Sequence, residues 1–480
     1  MKLLLACSLP LVGAYSFLPV TAPRTRSSAV LMAVEPKKVA IGVIGTGLVG
    51  GELLQQIEQY GPALKKQGLD IKVASISKTR ITDGERQPWM LCDDEEGCTL
   101  DSVSSAIEDP EAGEAGDFLK MADFLLESTP NAIIVDATAS DEVSNYYSKW
   151  LAKGVHVVTP NKKAGSGDLA RWKACTDAME ATGAMWGDET TVGAGLPILN
   201  TLRTDLLATG DTVNTIVRCY ATTRTRHATT RHATTRHATT RHATTRHATT
   251  RHATTRHATT PHATTLLVHA PLTHAPPCCP LSPGRTLQEG IFSGTLSYIF
   301  NTYKPGMKFS DVINDAKENG FTEPDPRDDL SGTDVARKVT ILARACGIPV
   351  ELDDVPVSSL VPAALEDWSP AEGEVLADAF IEQMKAYDAE KDELISSAEA
   401  AGMVLRYVGV VDVKAKTVSV ELKQYPKTHP FAGTQFADNI CAFGTERYTP
   451  QPLVIQGPGA GAAVTAAGIF ADVIKVAKAC

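Results

Sequence analysis

The sequence predicts an α/β protein with two folded parts: a parallel-sheet domain near the amino end and an α+β domain built on a second sheet. In the first part, short apolar runs alternate with helical segments, a pattern typical of buried parallel strands joined by helices. These runs are residues 38–44, 71–76, 132–135 and 155–158. In the second part, residues 404–411 and 418–422 have the composition of paired antiparallel strands, and residues 310–340 supply helices.

The length of the chain allows this division. Its 480 residues, 43% of them hydrophobic, suffice for two or three domains with buried cores. We predict a leader over residues 1–34, the parallel-sheet domain over 35–187 and the α+β domain over 188–452. Residues 453–480 form a last segment whose helix returns to the parallel-sheet domain, which is therefore discontinuous in sequence.

Charge and cysteine content exclude several function classes. The chain has 46 basic and 56 acidic residues, and its net charge of −10 argues against a nucleic-acid partner. Its ten cysteines lack paired C-x-x-C spacing, which argues against a zinc ribbon or a disulfide framework, although Cys92 and Cys98 leave a redox pair as an alternative. Beyond the leader no segment offers the roughly 20 apolar residues of a membrane-spanning helix, so we expect no membrane partner.

The first 34 residues resemble a targeting leader. Lys2 and an apolar run to Ala14 fit a signal peptide, and residues 21–34 are hydroxylated and basic, as in a transit peptide. With Phe17 at the junction, this order resembles the bipartite leader of proteins sent to the complex plastids of algae such as diatoms. We therefore expect a plastid location; secretion and a cytoplasmic location are the alternatives.

A glycine-rich turn follows the first predicted strand. Residues 45–50 read Gly-Thr-Gly-Leu-Val-Gly and lead into a helix, which is the order of a Rossmann-type dinucleotide site. Gly45 permits the tight turn, Gly47 lets backbone N–H groups approach a pyrophosphate, and Gly50 allows close helix packing. The expected dinucleotide contacts in the turn are Gly45, Thr46, Gly47, Leu48, Val49 and Gly50.

The second strand indicates which dinucleotide is preferred. An acidic residue at its end would bind the 2′-hydroxyl of NAD, but residues 77–80 read Ser-Lys-Thr-Arg. Hydroxyl and cationic groups, Lys78 among them, suit a 2′-phosphate. NADPH is therefore favoured, with NADH as the alternative.

Two further strands end in polar residues, at the edge of the predicted sheet where ligands bind. Thr138 follows the third strand, and Lys162 and Lys163 follow the fourth. We expect both lysines near the nicotinamide; a solvated loop is the competing interpretation. His156 lies inside a strand and is expected to be a packing residue rather than a base.

An acidic segment leads into a helix between Glu323 and Lys338. Asp334 and Lys338, four residues apart, must share a helical face, and on a solvated helix such a pair is usually only a surface ion pair. Here a run with two prolines, residues 323–329, is expected to stay extended and to form a pocket wall beside the helix. Carboxylates and a lysine of lowered pKa in this arrangement fit a small cationic or zwitterionic metabolite.

Together these features resemble the homoserine dehydrogenase family from about residue 39 to residue 478, apart from one insertion. Five motifs occur in the family's order, at residues 161–163, 188–198, 290–301, 325–329 and 456–461. The resemblance implies NADPH-dependent reduction of L-aspartate 4-semialdehyde to L-homoserine, a step toward threonine, methionine and isoleucine.

The resemblance also implies roles for single residues. Lys338 would be the acid that protonates the aldehyde oxygen, with Asp334 beside it and Lys162 between the nicotinamide and the substrate. The amino end of the substrate would be held by Gly320, Glu323, Asp329 and Asp334. The dinucleotide would be held by Gly45, Gly47, Gly50, Thr138, Lys162 and Gly461.

Further implications of the resemblance concern ions and assembly. A monovalent cation, with sodium the expected ion, would be bound by Glu189 and the backbone carbonyls of Val192, Ala194 and Leu196. The α+β domain would carry catalysis and dimerisation, giving a homodimer. No kinase-like segment precedes the glycine turn and no regulatory module follows, so we expect a monofunctional enzyme without feedback by threonine.

Residues 219–286 interrupt the predicted α+β domain. From Arg226 the pentad Arg-His-Ala-Thr-Thr repeats seven times, and a five-residue period matches neither a helix nor a strand. The segment is expected to be disordered, either as a surface loop or, as we favour, as a translated microsatellite or intron of a faulty gene model. Two alternatives to homoserine dehydrogenase activity remain. The chain could be another NADP-dependent reductase of a small amino-acid-like substrate, or the inactive product of a faulty gene model.

Overall fold

The computed structural model describes residues 35–82, 85–93, 97–108, 114–215 and 288–480; the predicted leader and the predicted interruption lie outside them. The strands are β1 (Lys37–Ile44), β2 (Leu69–Thr82), β3 (Glu85–Cys92), β4 (Glu114–Ala115), β5 (Ala132–Asp136), β6 (His156–Val158), β7 (Trp186–Gly187), β8 (Val213–Thr215), β9 (Gln288–Ile291), β10 (Met403–Asp412), β11 (Thr417–Pro426), β12 (Asp438–Thr445) and β13 (Leu453–Pro458). The α-helices are α1 (Leu48–Lys66), α2 (Leu100–Glu108), α3 (Phe118–Ser128), α4 (Asp141–Ser144), α5 (Tyr147–Ala152), α6 (Lys163–Ser166), α7 (Leu169–Thr182), α8 (Ile198–Asn200), α9 (Gly294–Thr302), α10 (Phe309–Glu318), α11 (Pro326–Leu330), α12 (Thr333–Ala345), α13 (Ala363–Glu366), α14 (Leu376–Met384), α15 (Asp388–Ala400) and α16 (Ala462–Ala479).

The first sheet confirms the predicted Rossmann-type domain. Its strand order is β4-β3-β2-β1-β5-β6-β7, and the strands from β2 to β7 in that order run parallel. Alternate residues of β1 face two cores. Val39, Ile41 and Val43 pack with α1 and α16, whereas Ala40 and Ile44 pack with α3. A strand buried on both faces needs a continuous apolar run, which is the signal that the sequence carries.

The strand β2 is longer than the sequence predicts. Instead of ending at Ile76 it continues to Thr82 and turns back into the antiparallel β3, with Lys78 opposite Trp89. Ser77 stands opposite Ile44, the last residue of β1, and its hydroxyl donates to the carbonyl of Trp89 at 3.0 Å. Lys78 therefore lies in a strand just beyond the end of β1, not in a loop.

The second sheet is antiparallel and confirms the predicted α+β domain. Its order is β11-β10-β9-β12-β13, and the predicted pair of strands is β10 and β11. The helices α9 and α12 pack against β10, with Val335 and Val339 of α12 in the core that covers the sheet. The predicted helices over 310–340 are α10, α11 and α12.

The strands β8 and β9 pair with consecutive stretches of the same strand, β12. Thr215, the last residue of β8, stands opposite Gly444, and Gly290 of β9 stands opposite Cys441. Continuing the β9 register brings Gln288, its first residue, opposite Phe443. The two described ends of the chain therefore reach neighbouring positions on β12, as the two halves of one strand would.

The lead-in to α12 differs from the prediction. Residues 323–325 lie outside any helix, but Pro326 begins α11, so the expectation of an extended run through residue 329 is wrong. Proline is well suited to the first helical position because its missing N–H would have no partner there. Asp325 caps this helix by accepting a hydrogen bond from the backbone N–H of Arg327 at 3.0 Å.

The last helix, α16, returns to the first domain as predicted. Ile469, Val473 and Val476 are buried in the core that α1 also covers. His156 is a buried packing residue, as predicted: its Nδ1 accepts a hydrogen bond from the N–H of Met185 at 2.9 Å. Within the described ranges, none of the six cysteines forms a disulfide, and no helix is long and apolar enough to cross a membrane.

Candidate active site

The turn after β1 brings three glycines to the carboxyl end of β5. Gly45 has a φ of +89°, and a Cβ there would stand 2.7 Å from Cγ2 of Thr138. A Cβ at Gly50 would stand 2.0 Å from the carbonyl oxygen of Gly45, so α1 packs on the turn only because residue 50 is glycine. At Gly47, the N-cap of α1, no atom of the described residues lies within 4 Å of an added Cβ, so a ligand can approach this backbone.

The remaining predicted dinucleotide residues lie around this turn. The Leu48 side chain is 86% exposed, whereas the Thr46 hydroxyl is buried and has no hydrogen-bond partner among the described residues. Val49 packs at the margin of the core under α1. Gly461, with a φ of +119°, begins α16, which packs on α1. An exposed leucine beside an unsatisfied hydroxyl fits a surface that receives a ligand.

A buried carboxylate, Asp136, ties the ends of β5 and β6 together. It accepts hydrogen bonds from the backbone N–H and the hydroxyl of Thr138, at 2.8 and 2.6 Å. It also accepts from the Tyr147 hydroxyl at 2.6 Å and from Nδ2 of Asn161 at 2.9 Å. Burial raises the pKa of Asp136, and these donors oppose the rise. The network holds Thr138 beside the glycine turn and Asn161 next to Lys162.

Sequence reasoning missed the part played by Asp136 and Tyr147. The available signal was an acidic residue at the end of an otherwise apolar strand, because a carboxylate buried there needs several donors. Tyr147 lies on α5 and gave no signal of its own, since a buried tyrosine in a helix is usually a packing residue.

Two lysines from different domains converge on Asp334. The Nζ of Lys338 lies 2.7 Å from Oδ2 of Asp334, one turn earlier on α12, and the Nζ of Lys162 lies 3.3 Å from Oδ1. Lys338 also donates to the carbonyl of Phe292 at 2.6 Å. The pair on α12 is therefore not a solvated surface ion pair. The Asn-Lys-Lys loop after β6 faces the same carboxylate through Lys162.

Burial and charge act differently on these groups. Burial lowers the pKa of Lys338, and the nearby charge of Asp334 opposes that shift. Burial would raise the pKa of Asp334, but the positive charges of Lys338 and Lys162 outweigh it and hold that pKa well below its usual range. The arrangement is a carboxylate that stays ionised between two ammonium groups, one of which gives up its proton more readily than an ordinary lysine.

The acidic loop before α12 is held by its own hydrogen bonds. Asp329 accepts from the backbone N–H of Glu323 at 2.8 Å, and the Thr295 hydroxyl lies 2.8 Å from its other oxygen. Burial raises the pKa of Asp329, and the hydrogen bonds from these two donors counteract that rise. The Glu323 side chain is exposed, and Gly320, with a φ of +71°, ends the helix before it. Both oxygens of Asp329 are thus already engaged by the protein, whereas Glu323 is free to meet a ligand.

The predicted cation ligands surround the start of α8. Both carboxylate oxygens of Glu189 accept backbone N–H bonds, from Leu199 and Asn200, each at 2.7 Å. Burial and the charge of Asp472 raise the pKa of Glu189 to about 7. The other predicted ligands are Val192 and Ala194, which are both buried, and Leu196; Ala194 has a φ of +53°. In the part of the chain that the structure describes, no three His, Cys, Asp or Glu side chains form a metal-binding group, so any ion here would depend on backbone carbonyls.

Family models match both domains. The model described as "Homoserine dehydrogenase, NAD binding domain" matches residues 45–187, and the model described as "Homoserine dehydrogenase" matches residues 286–474. The two matches together include the glycine turn, the loop with Lys162 and the whole of α12.

Individual proteins resemble the chain over most of its length. Homoserine dehydrogenase of Schizosaccharomyces pombe is 36% identical over 93% of this chain and 97% of that protein. Bifunctional aspartokinase/homoserine dehydrogenase 1 of Arabidopsis thaliana is 40% identical over 92% of this chain, which spans only 39% of the length of that relative. A Candida auris crystal structure described as a protein of unknown function has a TM-score of 0.69 at 32% identity, covering 92% of this chain and 99% of that one.

Proposed function

Because the chain belongs to the homoserine dehydrogenase family, we propose that it reduces L-aspartate 4-semialdehyde to L-homoserine with NADPH. The observation that carries the proposal is the convergence of Lys162 and Lys338 on Asp334. One of these residues follows a strand of the dinucleotide domain and the other lies on a helix of the second domain, which fits a site where cofactor and substrate meet.

Proton transfer at the carbonyl oxygen is the step for which the site is suited. A dinucleotide held by the glycine turn would supply the hydride that the aldehyde carbon accepts. As negative charge grows on the carbonyl oxygen, Lys338 donates a proton to it and becomes neutral, which its lowered pKa favours. The ammonium group of Lys162 stabilises the developing alkoxide. Asp334 orients both ammonium groups toward one point.

Substrate binding is assigned to the acidic loop. The exposed carboxylate of Glu323 is available to the amino group of the substrate, and Asp329 keeps the loop in shape through the N–H of Glu323. Gly320 offers backbone groups next to them. An aldehyde with an α-amino group at its far end would then be held with its carbonyl toward Lys338.

The direct test is turnover. Purified chain is mixed with NADPH and aspartate 4-semialdehyde, and the loss of NADPH absorbance is followed. Simple aldehydes without an amino group, such as succinate semialdehyde, serve as controls. We expect a much higher kcat/KM for the amino-aldehyde; equal rates across the panel would favour a different reductase, and no turnover at all would favour an inactive product.

The choice of NADPH over NADH rests on Ser77 and Lys78. Lys78 follows the residue opposite the end of β1 and can meet a 2′-phosphate. We expect Lys78→Met to raise the KM for NADPH while leaving that for NADH unchanged. An equal effect on both dinucleotides would contradict this assignment.

A monovalent cation at Glu189 is a further part of the proposal. The support is an all-oxygen donor set, one buried carboxylate with neighbouring loop carbonyls, which suits a hard cation such as sodium. A bound cation would favour the ionised form of Glu189. We expect sodium, but not choline at equal ionic strength, to raise the melting temperature; identical melting in both salts would remove the ion from the proposal.

The proposal also includes the oligomeric state, the location in the cell and the segment over residues 219–286. We assign a homodimer formed through the second domain, a plastid location directed by residues 1–34, and a non-functional segment over 219–286. Sedimentation analysis of the purified chain tests the first, and a fluorescent fusion of residues 1–34 tests the second. Sequencing the transcript across codons 217 to 287 decides whether the segment is translated at all.

A further inference from the structure

Asn439 is a fully buried side chain whose carboxamide is unsatisfied. It is 0% exposed, and neither Oδ1 nor Nδ2 has a hydrogen-bond partner among the described residues. A carboxamide brings two N–H donors and one acceptor, and leaving them unpaired in the protein interior is costly. Asn301, on the nearby helix α9, shows the usual case, with bonds to the carbonyl of Phe436 and the hydroxyl of Thr434.

The position of Asn439 connects it to the reacting groups. Ile440 pairs with Ile291 of β9, so Asn439 lies level with Phe292, whose carbonyl accepts the hydrogen bond from Lys338. On its other side Asn439 pairs with Gly457 of β13. The unsatisfied amide therefore lies at the same end of the second sheet as the proposed acid.

The segment that covers this amide carries almost no side chains. Residues 457–461 read Gly-Pro-Gly-Ala-Gly and connect β13 to α16. A Cβ at Gly459 would stand 2.0 Å from both Cγ and Nδ2 of Asn439, so backbone alone lies on the amide. The segment ends at Gly461, the N-cap of the helix that packs on α1.

We propose that Asn439 is a positioning residue that clamps residues 457–461 when the dinucleotide binds. Its carboxamide pairs with the N–H and C=O groups of the backbone at Gly459 and Ala460 once the cofactor has drawn the segment toward the glycine turn. A peptide group is both donor and acceptor, which matches the two unpaired ends of a carboxamide. The inference rests on the proposed function because it assumes that a dinucleotide occupies the turn.

The amide of Asn439 therefore stabilises only the state in which the dinucleotide is bound. Without cofactor, the unpaired atoms weaken the fold; with cofactor, their hydrogen bonds form and strengthen binding. A leucine, which has the same branched skeleton without polar atoms, removes both the cost and the gain. Asn439→Leu should therefore bind NADPH about tenfold more weakly, or about 1.4 kcal/mol, while melting at the same or a higher temperature when unliganded.

Hydrogen exchange supplies a readout that a purely structural role would not change. In the unaltered chain, NADPH should protect the backbone amides of residues 459–461, and Asn439→Leu should abolish that protection. Asn301→Leu is the matched control: it removes a satisfied asparagine from the same end of the sheet. It should lower the melting temperature and keep the protection.

Each other outcome overturns the proposal. If Asn439→Leu melts lower without cofactor and binds NADPH normally, the residue is merely structural. If the variant alone loses its preference for NADPH over the 3-acetylpyridine analogue, the amide contacts the nicotinamide ring rather than the backbone. If the unaltered chain does not bind NADPH, the proposed function fails and this inference with it, whereas normal binding and turnover with unchanged behaviour of the variant refute the inference alone.

Discussion

Single residues at the meeting point of the two domains differ in burial, and that difference separates their expected roles. The Lys338 side chain is 10% exposed and bonded to a backbone carbonyl, whereas that of Lys162 is 29% exposed. Burial lowers the pKa of Lys338. The proposal therefore assigns proton donation to Lys338 and stabilisation of the alkoxide charge to Lys162.

Removing the acid should abolish most of the turnover. We expect Lys338→Met to lower kcat for the reduction by roughly 10²–10⁴-fold, the usual contribution of a positioned proton donor. Lys162→Met should lower it through loss of charge at the alkoxide. The check is steady-state kinetics with NADPH, accompanied by circular dichroism to confirm folding.

The matched control for these variants is Lys163→Met. This residue adjoins Lys162 in sequence but begins α6 and contributes its backbone N–H to Asn161. Near-normal kcat is expected because Asp334 is paired with Lys162 and Lys338. Equal losses in all three variants would indicate a general effect of net charge instead of the proposed roles.

The pH dependence of the reaction tests the same residues in another way. Reduction needs the protonated form of Lys338, so its rate should fall as pH rises through that lowered pKa, while oxidation of homoserine should rise over the same range. Asp334 opposes the lowering of that pKa. Asp334→Asn should therefore move both limbs to lower pH. Asp328→Asn, an exposed acid on α11, should leave them in place, and a profile unmoved in Asp334→Asn would argue against Lys338 as the titrating group.

At the scale of elements, the glycine turn could be predicted from the sequence because local sterics require glycine at each of these positions. Gly45 needs a positive φ, and Gly50 meets a carbonyl oxygen that leaves no room for a Cβ. Such demands depend only on neighbours in sequence, so a pattern of glycines predicts them. The extension of β2 through Lys78 depends on its pairing with β3, which no local pattern predicts. The start of α11 at Pro326 does have a local signal, Asp325 followed by a proline, and the expectation of an extended run overlooked it.

Adjacent glycines in α1 offer a matched pair of substitutions. Gly50→Ala should disrupt the packing of the helix on the turn and weaken NADPH binding strongly, because its Cβ would stand 2.0 Å from the carbonyl oxygen of Gly45. Gly51→Ala meets nothing closer than the carbonyl of Thr46 at 4.0 Å and should stabilise the helix by about 1 kcal/mol. Thermal melting with and without NADPH distinguishes the two; similar losses of binding would contradict the steric argument.

A buried histidine before β12 should make the fold sensitive to acid. Burial lowers the pKa of His429 to about 4. The unfolded chain, with a pKa near 6.5, takes up the proton first, so stability is lost as pH falls from about 6.5 to 4, by roughly 3 kcal/mol. His429→Asn keeps an acceptor for the N–H of Phe431 but cannot titrate. Its unfolding free energy, measured in urea, should lack this decline; a decline equal to that of the unaltered chain would assign the effect to other groups.

At the scale of the whole molecule, the sequence predicted the two domains but not how they meet. Five motifs identified the family, and apolar periods marked the strands. The hydrogen bond between Asp136 and Asn161 joins two different strand ends, and the unsatisfied amide of Asn439 depends on the backbone that packs over it, so neither could be predicted from a local pattern.

Deleting the interruption should leave a working protein. Joining Thr215 to Gln288, a removal of residues 216–287, places two neighbouring positions on β12 in one continuous strand. If the segment is disordered, as the sequence predicts, the shortened chain should also be more stable by roughly 4 kcal/mol, since a flexible connection of that length is costly to close. Activity and urea unfolding of both chains provide the measurement.

The register supplies a strict control for that deletion. Ending the cut one residue later, at 288, shortens the strand by one residue and sends the side chains before the junction, such as the buried Val213, to the opposite face. This second variant should be unstable. Equal stability of the two deletions would mean that β8 and β9 are not halves of one strand.

The dependence of the first domain on α16 has a consequence for biosynthesis. Ile469, Phe470 and Val473 supply part of the interior beneath α1, yet they are synthesised after the other described strands and helices of that domain. Until α16 has been synthesised, one apolar face of the amino-terminal sheet stays uncovered. Prematurely terminated chains that stop before residue 462 should therefore be captured by chaperones or precipitate, and cells should retain little of them.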